Sequence, residues 1–381
     1  MNSRSTPLRE LSGLFLRLGC TAFGGPAVHI AMMEDEVVRR RGWLTRDAFL
    51  DLLGATNLIP GPNSTEMAIH IGRERAGWKG LIVAGLCFIV PASLITAVLA
   101  WAYVRYGSRP SATALLYAIK PVIISVVVQA LWSLAWSAVK TRSLAVLAVA
   151  STLASIAGVS ELAVLLGAGI ASAAIRVVAT NRFRHRHLGL VVVANIPGSA
   201  AAAATPLGLS ALFLFFLKVG AVLFGSGYLL LAFLHADLVE NWHWLSDSQL
   251  LDAIAIGQAT PGPVFTTATF IGYVLAGGSG AIVATVGIFL PSFVFVVISG
   301  PLIPRLRRSP AAAAFLDGVN VGAVALMAVI ATTLARTALV DVTTGLLAAV
   351  SIVSLLRYRM NSLWLVGGGA VVGLGVHWLT G

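Results

Sequence analysis

The chain has 381 residues, of which 58% are hydrophobic and 11% are charged, and its formal net charge is +11. Its mean hydropathy of +0.90 lies far outside the range of soluble globular domains. The basic residues fall in short loops beside apolar segments, where membrane insertion rules and anionic lipid account for them better than nucleic acid does. We therefore expect a multi-pass membrane protein that binds no nucleic acid.

Apolar runs that reach or approach the roughly 20 residues of a transmembrane helix recur along the chain. In the first half they cover 11–33, 79–104, 113–137, 143–158 and 162–179, and in the second half 209–236, 278–302, 314–337, 341–356 and 362–379. Cys20 and Cys87 lie alone inside such runs, without the spacing of a disulfide framework or a zinc site. We expect no metal, no cofactor and no cleavable signal peptide.

Short motifs in the first half return in the second half at one offset of 201 residues. Pro60-Gly61-Pro62 returns as Pro261-Gly262-Pro263, and Phe23-Gly24 returns as Phe224-Gly225. Apolar composition alone would not keep prolines and glycines in register, so the chain is a duplication. We expect a first transporter repeat over 1–180, a linker over 181–208 and a second repeat over 209–381.

The two Pro-Gly-Pro triplets each interrupt an apolar segment, about 47–71 and 248–275, and proline with glycine disfavours a continuous helix there. Arginine and lysine flank the first segment on both sides, whereas neither flank of the second segment carries one. Because basic loops stay on the cytoplasmic side, each segment is expected to be a re-entrant hairpin, and the two open to opposite sides.

These patterns predict an all-α membrane protein built of two inverted-topology repeats, with about ten transmembrane helices and two re-entrant hairpins. Five crossings per repeat is an odd number, which requires the second repeat to be inverted. In an alternative arrangement, Gly24-Gly25-Pro26 breaks the first segment into a hairpin as well, and the linker run 188–204 crosses instead.

Inverted repeats with interrupted helices are typical of secondary transporters, whose substrate lies where the broken ends meet. A helix that restarts after each triplet offers unpaired N–H groups and about half a positive charge, which suits an anion. The alternative is that each triplet is only a turn between packed helices. The predicted binding residues at these breaks are Gly24, Gly25, Gly225, Asn57, Pro60, Gly61, Pro62, Asn63, Ser64, Gln258, Pro261, Gly262, Pro263, Thr266 and Thr267.

Three cations inside apolar runs are further candidates. Arg17 and Lys218 occupy the same repeat position, and two converging cations would suit a dianion. The alternative is that both side chains snorkel to the interface. Lys120 has Asn320 as its counterpart, and its alternative is a lysine at a helix end.

Glu66 and His70 are spaced four residues apart and therefore share one face of the helix that follows the first triplet. A carboxylate and an imidazole in a low-dielectric hairpin can exchange protons near neutral pH, so we expect them to take part in proton coupling. The alternative is an interfacial pair linked to Arg73 and Glu74.

Phe23-Gly24-Gly25-Pro26, the acidic Glu34 and Glu36, Gly42-Trp43-Leu44 and the stretch 57–62 together resemble the chromate ion transporter family. The resemblance covers nearly the whole chain outside the linker and indicates a long-chain, two-domain member. It implies export of chromate from the bacterial cytoplasm through the inner membrane, driven by the proton motive force.

Chromate and protons are thus the expected partners, with sulfate as the natural analogue, and the chain is compatible with a homodimer. The alternative function is a permease or channel for sulfate or another small anion. An enzyme is not expected, because the sequence has no HExxH, no paired-aspartate metal motif and no GxSxG.

Overall fold

The computed structural model describes residues 7–181, 206–224, 227–299, 309–358 and 360–380, and within them it contains helices and no strand. Fourteen α-helices are described: α1 (Leu8–Thr21), α2 (Pro26–Glu34), α3 (Arg46–Thr56), α4 (Asn63–Tyr106), α5 (Pro110–Ala138), α6 (Arg142–Ile156), α7 (Glu161–Asn181), α8 (Leu209–Val222), α9 (Leu230–Leu234), α10 (Asp247–Ala259), α11 (Thr267–Ser299), α12 (Pro310–Ala338), α13 (Val342–Arg357) and α14 (Ser362–Thr380). A π-helix follows α2 at Asp35–Arg40, and a second follows α9 at His235–Asn241.

Five of the described helices, α4, α5, α7, α11 and α12, are long and apolar enough to cross a membrane. Four more, α6, α8, α13 and α14, are shorter apolar helices. Leucine, valine and tryptophan side chains on these helices remain exposed in large numbers, as lipid-facing surfaces require. The expected all-α, multi-pass membrane class is confirmed.

Helix α4 reverses direction within its length and therefore contains two arms. Ala76 and Gly77 leave the helical region, and Gly77 adopts a φ of +60° that favours glycine. The arms, 63–75 and 78–106, lie on either side of this turn. The same reversal occurs in α11, at the alanine and glycine 200 residues later.

The two arms of α4 pack closely because glycines face each other across them. A Cβ on Gly72 would collide with the carbonyl oxygen of Gly80, and a Cβ on Gly80 would collide with that of Gly72. The equivalent glycines of α11, Gly272 and Gly280, stand in the same relation. Backbones can approach this closely only where side chains are absent.

The first Pro-Gly-Pro segment is a hairpin formed by α3 and the short arm of α4. Arg75, at the end of that arm, donates from Nη1 to the carbonyl oxygen of Trp43, 2.8 Å away and just before α3. The two ends of the segment therefore lie together, with the triplet at the far end. This is the arrangement expected of a re-entrant segment.

The apolar run 11–33 is also a hairpin, which favours the alternative arrangement over a simple crossing. It divides into α1 and α2 at Gly24, whose φ is +112°, and Pro26 begins α2. Arg41 lies 2.6 Å from Glu10, so the end of the π-helix returns to the start of α1. The run 188–204, which the alternative arrangement uses as a crossing, lies outside the described residues.

Contacts between the repeats show that they are inverted. Tyr103, near the end of α4, donates a hydrogen bond of 2.9 Å to Asp252 at the open end of the second hairpin. At the other side, Arg73 at the open end of the first hairpin donates to the carbonyl oxygen of Val296, near the end of α11, at 2.5 Å. Each long arm thus begins at the mouth of its own hairpin and ends at the mouth of the other.

The repeats also exchange their later helices. α5 of the first repeat packs against α13 and α14 of the second, and α12 packs against α6 and α7. α4 and α11 contact each other at the centre, where α1 lies on α4 and α8 lies on α11. The central breaks are therefore enclosed by crossing helices from both halves of the chain.

Thr45 and Ser246 are equivalent residues at the starts of α3 and α10, both are exposed, and the structure places them on opposite faces. In a variant without Cys20 and Cys87, we expect a membrane-impermeant maleimide added outside cells to label Ser246→Cys and spare Thr45→Cys. Labelling of both from one side would contradict the inverted arrangement.

Gly72→Ala should destabilise the protein by about 1–3 kcal/mol, because the added methyl overpacks the contact with Gly80. Gly13→Ala is the matched control, since nothing lies within 4 Å of the Cβ it would add on the exposed face of α1. Thermal unfolding of the two variants in detergent measures the difference. Equal transition temperatures would show that the two arms are not in close contact.

Candidate functional site

Four helix breaks meet at the centre of the molecule, and hydrogen bonds cross between the repeats to join them. The amide of Gly61, in the first triplet, donates to the carbonyl oxygen of Leu223 at 2.7 Å, and the amide of Gly262 donates to that of Ala22 at 2.8 Å. Leu223 and Ala22 are the residues that directly follow α8 and α1. Each triplet is therefore held against the end of α1 or α8 in the other repeat.

A cavity of about 540 Å³ opens beside these breaks, between them and the crossing helices α5 and α12. Its polar lining contains four amide side chains and two serines, and it contains no charged side chain. These polar residues are Asn57, Asn63, Gln129, Ser133, Ser137 and Asn320. The space is large enough for a small anion that retains part of its hydration.

Two helices begin at the cavity wall. Gly25 and Pro26 line it at the start of α2, and Asn63 lines it at the start of α4. No side chain caps either helix start. First-turn N–H groups and the positive ends of both helix dipoles therefore act on the cavity, and both favour an anion.

Asn57 and Asn63 form a polar clamp across the first triplet. Nδ2 of Asn63 donates to Oδ1 of Asn57 at 2.9 Å. This bond leaves the Asn57 amide nitrogen available as a donor and fixes the orientation of both side chains. The hydrogen bond thus holds donors at the mouth of the break, where an oxyanion would need them.

The other residues predicted in the first triplet support the cavity from behind. Gly61 adopts a φ of +136°, which requires glycine, and Ser64 is 2% exposed. Gly24, with its positive φ, turns the chain into α2. Pro60 and Pro62 flank the glycine in the segment between the end of α3 and the start of α4, and Pro62 directly precedes α4.

The second triplet forms the same kind of break but does not line this cavity. Gln258, Thr266 and Thr267 are buried, and Thr267 packs closely against Gly257. Pro261, Gly262 and Pro263 occupy the position equivalent to the first triplet. Gly225 lies outside the described residues.

Arg17 and Lys218 are not brought together. Arg17 lies 2.6 Å from Glu36, and Lys218 forms the equivalent ion pair with Asp237. The two cations line separate grooves, because inversion sends equivalent residues away from the centre to opposite faces. About half of each side chain is exposed, as snorkelling predicts.

The carboxylate that pairs with Arg17 is held ionised by several arginines. Burial acts to raise the pKa of Glu36, but hydrogen bonds from Arg17 and Arg41, together with the charge of Arg40, hold it below its ordinary value. Arg17 therefore has a permanent counterion and is not free to act as a lone cation.

Lys120 lies in a second, smaller cavity of about 320 Å³ at the mouth of the second hairpin. Its Nζ is 3.3 Å from Asp252 and donates to Ser248 at 2.6 Å. Asn320, at the equivalent position, faces the central cavity instead. Inversion thus places the charged member of this pair at the mouth of the second hairpin and the neutral member at the central cavity.

Glu66 and His70 are buried in the hairpin, at 0% and 4% exposure. Neither carboxylate oxygen of Glu66 has a hydrogen-bond partner, and the same holds for Nε2 of His70. Arg73 turns away to the carbonyl oxygens of Val296 and Val297. This burial argues against the alternative of an interfacial pair.

The Glu66 carboxyl contacts the Gly61 backbone, directly behind the first triplet. The hydroxyl of Ser292 in α11 lies 2.9 Å from the point where a Cβ on Gly61 would stand, and it also lacks a partner. At the equivalent point beside Gly262, the methyl group of Ala92 fills the space. The polar pocket behind the triplet therefore exists in one repeat.

Sequence reasoning missed Gln129, Ser133 and Asn320 as cavity residues. Gln129 and Asn320 are uncharged polar residues inside long apolar runs, which is the signal that could have identified them. Their convergence depends on α5 and α12 meeting the first repeat's breaks from opposite halves of the chain.

Comparison with known proteins agrees with the repeat organisation. The family described as chromate transporter matches the chain twice, over residues 9–173 and 210–374. A chromate transport protein of Cupriavidus metallidurans is 33% identical over 96% of this chain and 92% of its own length. A probable chromate transport protein of Synechococcus elongatus is 30% identical over 91% and 89%.

An uncharacterized transporter of Methanocaldococcus jannaschii is 26% identical over 92% of this chain and 90% of its own length. No solved structure matches the chain. Two family matches in one chain, each spanning a set of breaks that meet its counterpart at the centre, agree with the duplication seen in the fold. The chain belongs to the chromate transporter family.

Proposed function

We propose that the protein exports chromate across the bacterial inner membrane, driven by the proton motive force, and that the central cavity binds the oxyanion. The observation that carries this proposal is an uncharged cavity at which two uncapped helices begin. Family membership and the names of the relatives support chromate as the substrate. The direction of transport and its coupling rest on the arguments that follow.

The binding site in this proposal uses neutral donors. The first turn of α4, with Asn63 and Ser64, and the start of α2 at Gly25 supply backbone N–H groups, while Asn57 and Asn320 supply amides. A hydrogen bond to a charged group contributes about 1.5–3 kcal/mol, so a few such donors bind a dianion without trapping it. Moderate affinity suits a transporter, which must also release its substrate.

The second break binds the anion when the site opens to the other side of the membrane. The repeats are related by inversion, so a rocking motion between them exposes one set of breaks and then the other. In that state Gln258, Thr266 and Thr267 would become the donors, with the second triplet as the helix start. Lys120 then lies at the mouth of the second hairpin, on the path of the anion.

The membrane potential favours export. Moving one charge through 100 mV is worth about 2.3 kcal/mol, so a dianion leaving an inside-negative cell gains about 4.6 kcal/mol. This alone would sustain a gradient on the order of a thousandfold. Proton coupling adds to this gradient and makes export depend on pH.

Glu66 is the proton carrier in this proposal. An ionised carboxylate with no cation and no hydrogen-bond partner in the protein interior would cost several kcal/mol, so the side chain carries a proton in this conformation. His70, one helical turn further, leads from Glu66 toward the mouth of the hairpin. Because Glu66 lies directly behind the triplet, a change in its charge acts on the bound dianion, and in export driven by the proton motive force a proton enters the cell as chromate leaves.

Counterflow in proteoliposomes tests the substrate, and the cavity residue Asn320 provides the matching variant. We expect chromate flux, which Asn320→Ala weakens by about tenfold in apparent affinity, because a donor to the anion is lost. Thr332→Ala, on an exposed face of the same helix, is the control and should leave flux unchanged.

Sulfate is the alternative substrate, because it is also a tetrahedral dianion and the cavity's donors suit both. Sulfate flux with no chromate flux would overturn the export of chromate in favour of a sulfate permease. Chromate flux that Asn320→Ala leaves unaltered would place the binding site elsewhere.

Glu66→Gln should keep chromate counterflow and abolish the response of net chromate flux to an imposed pH gradient, because the amide cannot release a proton. Glu74→Gln, on the exposed face of the same arm, is the matched control. A pH-driven flux that survives in Glu66→Gln would exclude Glu66 as the proton carrier.

A further inference from the structure

Three equivalent positions change their ionisable groups between the repeats. In the first repeat, a carboxylate on α2 corresponds to a histidine in the second, and two arginines correspond to two carboxylates. At the offset of 201 residues, the pairs are Glu34 with His235, Arg39 with Glu240, and Arg46 with Asp247. The two arginines are replaced by carboxylates, and the central carboxylate is replaced by a histidine, which is attracted to them when it carries a positive charge.

The histidine lies between the two carboxylates. Its Nε2 is 2.9 Å from Oδ1 of Asp247, and its Nδ1 is 3.5 Å from Oε1 of Glu240. The imidazole is 3% exposed. Two acidic groups therefore face both nitrogens of one buried ring.

The equivalent contact in the first repeat is weaker and more exposed. Arg46 lies 3.8 Å from Glu34, and 74% of its side chain is exposed. An arginine and a glutamate both keep their charges at neutral pH. The first repeat thus has a permanent, loose ion pair where the second has a close hydrogen bond that becomes an ion pair only when the imidazole carries a second proton.

The contact joins the two hairpins of the second repeat. One of them is formed by α8, α9 and the π-helix that His235 begins. The other is formed by α10, which Asp247 begins, and the short arm of α11. Asp247 stands at a helix start, where the dipole favours its negative charge. The bond between them fixes the hairpin that carries Lys218 against the hairpin that carries the second triplet.

We propose that His235, Asp247 and Glu240 form a proton-binding site that locks these two hairpins together when it is occupied. A positive charge is needed between the two carboxylates, and a lysine or arginine there would hold that charge permanently. Histidine holds it only at low pH, since imidazole is the side chain that titrates between about pH 5 and 8. Nε2–H then donates to Asp247, while Nδ1–H lies 3.5 Å from Glu240 and makes no other hydrogen bond among the described residues.

The other charged groups of this region are mostly carboxylates. The Lys218–Asp237 pair lies nearby, and Glu161 at the start of α7 interacts with Asp237, Glu240 and Lys218. Two carboxylates thus face the imidazole directly, and one of them, Glu240, belongs to a wider group of three carboxylates and one ammonium. A bound proton would meet a surplus of negative charge, and its loss would leave the carboxylates to repel one another.

This site is separate from the proton carrier proposed above. Glu66 lies behind the first triplet, whereas His235 lies at the mouth of the opposite hairpin, on the other face of the molecule. Its occupancy would respond to pH on the side to which the second hairpin opens. Acidification of that side would lock the second repeat, and a rise in pH would release it.

Hydrogen exchange of the detergent-solubilised protein tests the lock without any substrate, so its outcome does not depend on the proposed function. After correction for intrinsic rates, amides at the start of α10 in the unaltered protein should exchange roughly two- to fivefold more slowly at pH 5.5 than at pH 7.5, as expected for one ion pair. His235→Gln should exchange rapidly at both pH values, and His235→Lys slowly at both.

His243→Asn is the matched control, because His243 is exposed in the same loop, bonds through Nδ1 to a backbone carbonyl, and has a φ of +52° that asparagine accepts. It should retain the pH dependence of the unaltered protein. The proposal is overturned if His235→Gln keeps that pH dependence, or if His243→Asn loses it to the same extent. His235→Gln carries the test by itself if His235→Lys does not fold.

Discussion

The crossed hydrogen bonds between the triplets and the Phe-Gly breaks are the contacts on which the rest of the structure depends. A broken helix exposes backbone N–H and C=O groups, and unpaired groups inside a membrane protein cost several kcal/mol each. Gly61 and Gly262 satisfy one such group of the opposite repeat each. The two repeats therefore satisfy each other's backbone groups, and the central cavity lies beside the place where they do so.

Inversion decides which residues can act together. Equivalent residues close to the central axis meet, as the two triplets do, whereas equivalent residues far from it go to opposite faces. Arg17 and Lys218 belong to the second group, and each therefore finds a carboxylate in its own repeat. The cavity is left without a charged side chain, and helix starts and amides line it instead.

Symmetry in the backbone coexists with asymmetry in the chemistry. The breaks, the reversed arms and the facing glycines recur in both repeats, but Glu66 and Ser292 have Thr267 and Ala92 at the equivalent positions. A symmetric scaffold can rock between two equivalent states, and polar groups present on one side alone make those states differ in energy. The proposed coupling of a proton to the anion relies on such a difference.

The sequence by itself determined the membrane class, the duplication, the inversion and the triplet hairpin, because hydropathy, flanking charge and proline with glycine are local properties of the chain. It also predicted Asn57 and Asn63 as site residues, and both line the central cavity. Only the tertiary structure decided that the run 11–33 folds back, that Arg17 and Lys218 lie far from each other, and that Gln129 and Asn320 line the cavity. Those outcomes depend on which helices of one repeat pack against the other, and contacts across some 200 residues leave no local pattern in the sequence.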